Sequence, residues 1–303
     1  MRVVVTGGAG FIGSHLVERL VELGHDVTVL DDLSNGSPEN LGAVQDRIVF
    51  VKHDVSIGPP PTREAADAFY HLACFPRSKS FGDPVRDVEV NVIGMVNVIE
   101  RARKNKARII FTSNSGIYDT RRLPISELAP DDPKTPYDLD KLQAENYLKL
   151  YGSTFGLGYV IFRLATVYGP RQNVTPEWTP VVMEFIQKLS KGQAPTIHWD
   201  GEQTRDLIFV DDVVDALILS LESEEADGQT MILGTGKETS INALYSIVCG
   251  VLGSNVEPLR EPKKLGDIRR MRYECERARE LLGWKAKVSV EEGIRRIVRH
   301  MGT

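Results

Sequence analysis

Residues 1–36 read MRVVVTGGAGFIGSHLVERLVELGHDVTVLDDLSNG, and this stretch decides the fold. Residues 2–6 are short, β-branched and apolar, which is typical of a strand buried on both faces of a parallel sheet. A glycine-rich turn follows, and residues 14–23 then have the apolar spacing of a helix that ends at Gly24. Residues 26–30 form a second predicted strand, which ends at an acidic pair. The pattern predicts a β-α-β unit.

Three glycines of the turn, Gly7, Gly10 and Gly13, have the spacing of a dinucleotide-binding turn. The first permits a tight turn, the second allows a pyrophosphate to approach the backbone, and the third lets helix and strand pack closely. The N-terminus of the helix offers unpaired N–H groups and a partial positive charge to phosphates. Asp31 is placed to accept a hydrogen bond from a ribose 2′-OH and would repel a 2′-phosphate. The sequence therefore predicts NAD, in preference to NADP, as the cofactor.

The composition is that of an ordinary globular protein of 303 residues, with 42% hydrophobic and 26% charged residues. A net charge of −5 gives no reason to expect a nucleic acid or an anionic membrane as a partner. No apolar run approaches the length of a membrane span, and because the first predicted strand begins at residue 2 we expect no signal peptide. The three cysteines have no metal-ligand spacing. We expect a cytoplasmic protein without a metal site.

Strands alternate with helices as far as residue 167, and the pattern then changes. Such alternation predicts an α/β fold with a Rossmann-type, doubly wound parallel sheet. We predict an NAD-binding domain at 1–168, joined by parts of 207–235, and a smaller α/β substrate domain mainly at 169–303. Further predicted strands lie at 46–55, 68–74, 107–113, 158–167 and 229–233, and predicted helices lie at 85–104, 137–151 and 211–221, the last with Asp211 or Asp212 as its N-cap.

Tyr137 and Lys141 stand four residues apart at the start of the helix that follows the fifth strand. This spacing places both side chains on one face of the helix. A tyrosine has a pKa of about 10 in water, and a nearby ammonium group together with a positive nicotinamide ring favours the phenolate. Tyr137 is therefore a candidate general base and Lys141 its partner.

Nine stretches, spread over nearly the whole chain, carry a family resemblance. They are TGGAGFIGSH (6–15), LDDLSNG (30–36), HDV (53–55), HLAC (71–74), NVIG (91–94), PYDLDK (136–141), VYGPRQ (167–172), DGEQTRDLIFVDD (200–212) and LLGW (281–284). On these the chain resembles the extended short-chain dehydrogenases/reductases of the NAD-dependent sugar epimerase/dehydratase group. The glycine turn combined with the late QTRD block is specific to the extended group.

The resemblance implies a 4-epimerase of nucleotide sugars, with UDP-glucose and UDP-galactose or their N-acetyl forms as substrates. In the family's 4-epimerases the tyrosine takes the proton of the sugar 4-OH while a hydride passes from C4 to NAD. The 4-keto sugar then turns over, and the hydride returns to its other face. A homodimer formed through the helices at 85–104 and 137–151 is also implied.

The resemblance also implies roles for individual residues. Catalytic roles fall to Tyr137, Lys141 and Asn114. Cofactor-binding roles fall to Gly7, Gly10, Phe11, Ile12, Gly13, Asp31, Asp32, Asn35, Gly36, Asp54, Val55, Leu72, Ala73, Cys74, Asn91, Thr112, Tyr137 and Lys141. Substrate-binding roles fall to Ser113, Ser115, Thr166, Arg205 and Lys264, with Arg205 on the diphosphate because a guanidinium suits bidentate recognition.

Some positions depart from the family pattern. Asn114 stands where the family has Ser or Thr, and an amide cannot relay a proton as a hydroxyl does. Thr166 replaces the family's Asn, and Lys264 replaces the Arg of its Arg-x-Gly-Asp. Ser115 and Gly116 fill the place of the Asp-Glu pair of the dehydratases, which disfavours dehydration. The Glu that the group's decarboxylases have in the same segment is also absent from this sequence.

Two alternatives remain open from the sequence. One is another NAD-linked conversion of a nucleotide sugar, by a dehydratase or a reductase. The other is a non-catalytic NAD-binding sensor, which Asn114 favours and which the retained Tyr137 and Lys141 disfavour.

Overall fold

A computed structural model describes residues 1–62, 65–174, 179–263 and 268–302. The strands are β1 (Arg2–Thr6), β2 (Asp26–Asp31), β3 (Ile48–Lys52), β4 (Ala68–His71), β5 (Arg108–Asn114), β6 (Tyr159–Leu164), β7 (Thr166–Tyr168), β8 (Thr196–His198), β9 (Thr204–Arg205), β10 (Leu207–Phe209), β11 (Gln229–Leu233), β12 (Thr239–Ser240) and β13 (Leu259–Glu261). The helices are α1 (Phe11–Glu22), α2 (Pro84–Val88), α3 (Gly94–Asn105), α4 (Pro136–Phe155), α5 (Val181–Ser190), α6 (Val210–Leu219), α7 (Ile241–Leu252), α8 (Glu276–Leu282) and α9 (Val290–Met301).

The central layer is a seven-stranded sheet in the order β11-β6-β5-β4-β1-β2-β3. All of its pairings are parallel. The chain runs outward from β1 to β3 in one direction and from β4 to β11 in the other. The order therefore reverses between β1 and β4, where doubly wound sheets form a ligand crevice at the carboxyl ends of their strands. The predicted fold class is confirmed.

Helices cover both faces of this sheet because the inner strands are apolar throughout. Val3, Val4 and Val5 of β1 are buried, as is every residue of β4. Helices α1 and α6 pack together, as do α3 and α4. The two hydrophobic clusters that result lie on the two sides of the sheet.

The part of the chain after β7 is divided between the sheet and a second region. Strand β11 pairs with β6 and completes the sheet. Three two-stranded sheets, β7 with β10, β8 with β13 and β9 with β12, lie outside it. The predicted domain boundary at residue 168 stays a prediction. Among the described residues, no helix is long and apolar enough to span a membrane.

Three predicted elements differ from the structure. The helix predicted at 85–104 is interrupted by a π-helical turn at Glu89–Ile93, between α2 and α3. The strand predicted at 158–167 is divided, because β7 leaves the sheet to pair with β10. The predicted N-cap of α6 was wrong, since Phe209 holds that position. The Asp212 carboxylate instead accepts hydrogen bonds from the N–H groups of residues 287 and 288, at 2.9 and 3.0 Å.

Candidate active site

The glycine turn between β1 and α1 is packed so closely that side chains are excluded from it. Gly7 has a φ of +70°, and a Cβ there would lie 2.6 Å from the backbone nitrogen of Ala73. A Cβ on Gly13 would lie 2.1 Å from the carbonyl oxygen of Gly7. Gly10 precedes α1 without a side-chain cap, and the first turn of α1 holds no acidic residue. The N–H groups of that turn are therefore available to an anion.

Asp31 ends β2 beside this turn, with its carboxylate already held by the backbone. Oδ2 accepts a hydrogen bond from the N–H of Ala9 at 3.0 Å, and Oδ1 accepts one from the N–H of Leu33 at 2.9 Å. Burial raises the pKa of Asp31, and these two hydrogen bonds act in the opposite direction. A Cβ on Gly36 would lie 2.8 Å from the carbonyl carbon of Ala9, so this side of the turn is also tight.

A cavity of about 310 Å³ extends from the glycine turn to helix α4. The residues predicted from the sequence that line it are Gly7, Gly10, Phe11, Ile12, Gly13, Asp31, Asp32, Asn35, Gly36, Asp54, Val55, Leu72, Ala73, Cys74, Thr112, Ser113, Tyr137 and Lys141. Of the predicted cofactor-binding residues only Asn91 is outside this lining. The tertiary structure thus brings into one cavity residues of strands β2 and β5, of helices α1 and α4, and of the loops that follow β1, β2, β3 and β4.

Two cations that the sequence interpretation missed also line the cavity, Lys79 and Arg86. The Arg86 guanidinium donates a hydrogen bond to Oδ2 of Asp54, whose Oδ1 accepts from the N–H and hydroxyl of Ser56 at 2.9 and 2.7 Å. Burial opposes ionisation of Asp54, but these hydrogen bonds outweigh it and lower its pKa. No local pattern pairs residues 54 and 86, so only the fold reveals this contact.

Tyr137 and Lys141 lie on one face of α4, as predicted, and both line the cavity. The Lys141 ammonium is 4.2 Å from the centre of the Phe111 ring and 6.0 Å from that of Tyr137. Burial lowers the pKa of Lys141 to about 8, while the nearby carboxylates of Glu145 and Asp87 act in the opposite direction. A lysine with this pKa is an ammonium at neutral pH and a neutral amine above it.

The pKa of the Tyr137 phenol is shifted in the direction opposite to the one expected from the sequence. Burial raises it well above its ordinary value, and the nearby groups Cys74 and Asp138 add to this. Arg77 acts in the opposite direction. In the protein alone the phenol is therefore neutral. The phenolate that the sequence interpretation favoured needs positive charge beyond what the protein supplies.

Asn114 is fixed from both ends of its amide. Its Nδ2 donates a hydrogen bond to the buried Asp138, and its Oδ1 accepts one from the N–H of Gly116 at 3.1 Å. Asp138 in turn accepts a hydrogen bond from Arg77 at 3.1 Å. Because Asp138 follows Tyr137 directly, this chain of contacts holds residue 114 next to the start of α4. The family's hydroxyl is thus replaced by an anchored amide.

Ser113 lines the cavity, but its hydroxyl is used by a buried ion pair. Ser113 donates to Oε1 of Glu145 at 2.6 Å. Arg163 donates to both oxygens of the same carboxylate, at 2.9 and 2.8 Å, and also to Asp131 at 2.8 Å. Glu145 is 0% and Arg163 4% exposed. The pair joins β5, β6 and α4 behind Tyr137 and Lys141.

Three other predicted substrate residues, which are Ser115, Thr166 and Arg205, lie outside the lining of this cavity, as does the predicted catalytic residue Asn114. Ser115 is buried and donates its hydroxyl to the Tyr273 hydroxyl at 2.8 Å. Thr166 begins β7, and its N–H donates to the carbonyl of residue 206 at 3.1 Å. Arg205 lies in β9 and donates to the carbonyls of residues 204 and 268, at 2.7 and 2.9 Å. Lys264 lies outside the described residues. Their roles in substrate binding stay predictions.

Asn91 does not line the cavity, but it contacts Phe75, a residue that does. It lies in the π-helical turn, donates through Nδ2 to Asp87, and accepts through Oδ1 from the N–H of Phe75 at 3.2 Å. Phe75 lines the cavity. An extra residue in a helical turn re-aims side chains, and π-helical turns are frequent at functional sites.

Comparisons with known proteins agree with this geometry. A family model described as the NAD dependent epimerase/dehydratase family matches residues 3–234. The UDP-glucose 4-epimerase of Mycolicibacterium smegmatis is 41% identical over 308 residues, covering 98% of this chain and 97% of that protein. The crystal structure of the Thermotoga maritima UDP-glucose 4-epimerase with UDP-glucose is 34% identical, with a TM-score of 0.92 and coverage of 100% and 99%. The Thermus thermophilus UDP-glucose 4-epimerase in complex with NAD is 32% identical, with a TM-score of 0.86 and coverage of 100% and 99%.

Proposed function

Because the chain belongs to the NAD-dependent epimerase/dehydratase family, we propose that it is an NAD-dependent nucleotide-sugar 4-epimerase acting on UDP-hexoses. The observation that carries the proposal is the placing of Tyr137 and Lys141 in the cavity that begins at the glycine turn. The relatives that are named UDP-glucose 4-epimerase match this chain over nearly its whole length, which supports UDP-glucose and UDP-galactose as substrates. Their N-acetyl forms are the next candidates.

The residues present fit NAD. A Cβ at Gly7 or Gly13 would collide with backbone atoms, so only glycine permits this tight turn, which lines the cavity beside the N-terminus of α1 where N–H groups suit a pyrophosphate. The Asp31 carboxylate suits a ribose with a free 2′-OH. When bound, NAD supplies a nicotinamide ring that accepts a hydride from the sugar and gives it back. The Lys141 ammonium is the group of α4 that would hold the nicotinamide ribose.

In the proposed reaction, Tyr137 accepts the proton of the sugar 4-OH. Its raised pKa in the protein alone means that it holds its proton until positive charge is added to the cavity. The Lys141 ammonium, whose pKa of about 8 keeps it protonated at neutral pH, is already present in the protein alone, so the added charge would have to come from the positive nicotinamide ring of bound NAD. Tyr137 and Lys141 thus form a base that becomes active only in the loaded site.

Asn114 takes the position of the family's hydroxyl and holds the substrate rather than relaying its proton. One N–H of its amide donates to Asp138, and the second N–H would donate to the sugar O4. An amide donor of this kind stabilises negative charge that develops on oxygen. The proton of the 4-OH therefore passes to Tyr137 directly in this proposal.

The two alternatives from the sequence are weaker. Dehydration needs a second acid and base beside the tyrosine, and the nearby Ser115 hydroxyl is committed to Tyr273. A sensor without catalysis has no need of a lysine that is buried beside the tyrosine and keeps a pKa of about 8. Burying an ammonium group costs free energy, so its retention favours a catalytic use.

We also infer a homodimer and a cytoplasmic location. Large apolar side chains are exposed on the helices that the family resemblance assigns to the dimer interface. They are Val85, Val88, Ile93, Leu139 and Leu150, at 69%, 42%, 45%, 45% and 56% exposure. Exposed apolar side chains grouped in this way mark an interaction surface, and a second copy of the chain fits it by symmetry.

The test is turnover of UDP-glucose, UDP-galactose and their N-acetyl forms by the purified protein with NAD, followed by chromatography. Tyr137→Phe should abolish nearly all turnover, by about 10²-fold or more, and leave NAD binding unchanged. Tyr147→Phe is the matched control, because Tyr147 lies on the same helix and is 40% exposed. Wild-type protein that leaves all four sugars unchanged refutes the proposed function, and full activity of Tyr137→Phe refutes the role of Tyr137.

A further inference from the structure

Asp138 lies one residue after Tyr137, in the first turn of α4, and its side chain is completely buried. An acidic residue at this point of a helix ordinarily serves the helix itself, because it complements the positive end of the dipole or bonds the N-cap backbone. Thr135 already caps α4, since its hydroxyl accepts a hydrogen bond from the N–H of Asp138 at 3.1 Å. The hydrogen bonds of the Asp138 carboxylate instead reach the end of β5 and the short turn at Arg77–Lys79.

The two oxygens of this carboxylate hold two separate segments of the chain. Oδ1 accepts a hydrogen bond from Nδ2 of Asn114 at 2.5 Å. Oδ2 accepts one from the Arg77 guanidinium at 3.1 Å, and the Arg77 side chain is 51% exposed. Burying a carboxylate costs free energy unless it is paired, and Arg77 supplies that pairing. Arg77 directly follows Phe75 and Pro76, which line the cavity.

These contacts fix the orientation of the Asn114 amide. A carboxylate oxygen only accepts hydrogen bonds, so the part of the amide that faces Asp138 must be the NH2 group. The backbone N–H of Gly116 only donates, and it lies 3.1 Å from Oδ1 at the other end of the amide. Turning the amide over would therefore break both contacts. The fit is also tight, because a Cβ on Gly116 would lie 2.8 Å from Nδ2 of Asn114 and 3.0 Å from Oδ1 of Asp138.

We propose that Asp138 is a positioning residue, which keeps the NH2 group of Asn114 turned toward the first turn of α4, where Tyr137 lies. A hydroxyl at residue 114 could rotate to donate or to accept, whereas an amide must be fixed with its donor in place. An amide held the other way would turn its oxygen toward the negative charge that develops on the sugar O4. The orientation of the amide stands on its hydrogen bonds alone, whereas the consequence for catalysis rests on the proposed function.

The contact is tested without turnover, by ¹⁵N NMR of the full chain labelled with ¹⁵N-asparagine. The side-chain NH2 signals of Asn114 are identified by their loss in Asn114→Ser. In the wild type, the Asn114 proton that is bonded to Asp138 should exchange with water more slowly than the side-chain protons of the exposed Asn255. Exchange as fast as that of Asn255 overturns the proposal without any further variant.

Two variants of Asp138 extend this experiment. Asp138→Leu keeps the branched shape and removes both acceptors, so the Asn114 signals should move toward those of solvent-exposed amides. Asp138→Asn keeps an oxygen that accepts, so the signals should stay near their wild-type positions. Asp211→Leu is the matched control, because Asp211 lies in the first turn of α6 and pairs with Arg296 at 3.0 Å. Asn114 signals that do not move in Asp138→Leu overturn the proposal.

The consequence for catalysis is tested by steady-state kinetics with the UDP-hexose that the wild type turns over. Asp138→Leu should lower kcat by about 10-fold and change KM by less than about 3-fold, because a donor to O4 gains strength mainly in the transition state. Asp138→Asn should keep kcat within about 3-fold of the wild type. Asp138 also adds to the raised pKa of Tyr137, but both variants remove that charge equally, so their difference reports the hydrogen bond. Equal losses of kcat in the two variants overturn the positioning role.

A double-mutant cycle with Asn114→Ser separates this role from a purely structural one. A serine hydroxyl rotates freely, so in the Asn114→Ser background Asp138→Leu should change kcat by less than about 3-fold. The same loss of kcat in both backgrounds would mean that Asp138 does not act through residue 114, which overturns the positioning role. If no nucleotide sugar is turned over, the proposed function fails, and the NMR experiment still decides how the amide is held.

Discussion

Gly13→Ala is the substitution for which the structure gives the sharpest expectation. The added Cβ would lie 2.1 Å from the carbonyl oxygen of Gly7 and 2.8 Å from Cα of Gly8. Both neighbours are backbone atoms, so no side-chain rotation relieves the clash. Ordinary van der Waals contact begins at 3.4 Å, so helix α1 or the glycine turn would have to move by about 1.3 Å.

The displacement caused by Gly13→Ala should lower the stability of the protein and its affinity for NAD by amounts that can be estimated. Overpacking at a tightly packed position costs about 1–3 kcal/mol. The turn and the first turn of α1 are also the predicted pyrophosphate site, so the same displacement should weaken NAD binding. Since each 1.4 kcal/mol is a factor of ten, we expect the Kd for NAD to rise by about 10- to 100-fold.

The matched control is the same substitution in another helix. Gly250 lies in α7, is exposed, and has no atom within 4 Å of an added Cβ. Gly250→Ala should therefore stabilise the protein by about 0.5–1 kcal/mol through helix propensity and leave NAD binding unchanged. Thermal unfolding and calorimetric titration with NAD measure both effects. Wild-type affinity for NAD in Gly13→Ala would refute the assignment of the turn to the pyrophosphate.

Three further changes test other parts of the site. Glu145→Gln leaves the Arg163 guanidinium buried beside a neutral amide, so urea unfolding should show a free energy of unfolding that is lower by about 3–5 kcal/mol. The control Glu280→Gln, at an exposed glutamate, should lower it by less than about 0.5 kcal/mol. A similarly small loss for Glu145→Gln would contradict the importance of the buried ion pair. Asp31→Ser should weaken NAD binding and reduce the preference for NAD over NADP in parallel titrations, and an unchanged preference would remove Asp31 from the ribose site. Leu150→Glu should shift the sedimentation of the protein from dimer toward monomer, because a charge would enter the proposed apolar interface, and an unaltered dimer would place the interface elsewhere.

The elements of the fold could be predicted because each depends on a local pattern. The burial of β1, the position of α1 and the carboxyl end of β2 follow from apolar spacing and glycine within one short stretch. Predictions failed where a distant residue decided the outcome. Asp212 does not cap α6, because the backbone at residues 287 and 288 uses its carboxylate instead. The sequence contains no local sign of such a contact.

The residues of the candidate site also fall into those that the sequence could predict and those that it could not. Residues of known motifs, such as Gly13 and Tyr137, could be assigned from their spacing, and the structure places both in the cavity. Arg86 could not be found, because its partner Asp54 lies 32 residues away in the chain. The raised pKa of Tyr137 also depends on burial and on neighbours from separate segments, which spacing along a helix does not reveal.

By itself the sequence determined the order of strands and helices, the glycine turn, and the presence of Tyr137 and Lys141 on one helical face. These features follow from the preferences of neighbouring residues for one backbone conformation. Only the tertiary structure decided which buried polar groups meet, such as Glu145 with Arg163. The reason is physical, since a buried charge must find its partner in space, and that partner is set by how the elements pack.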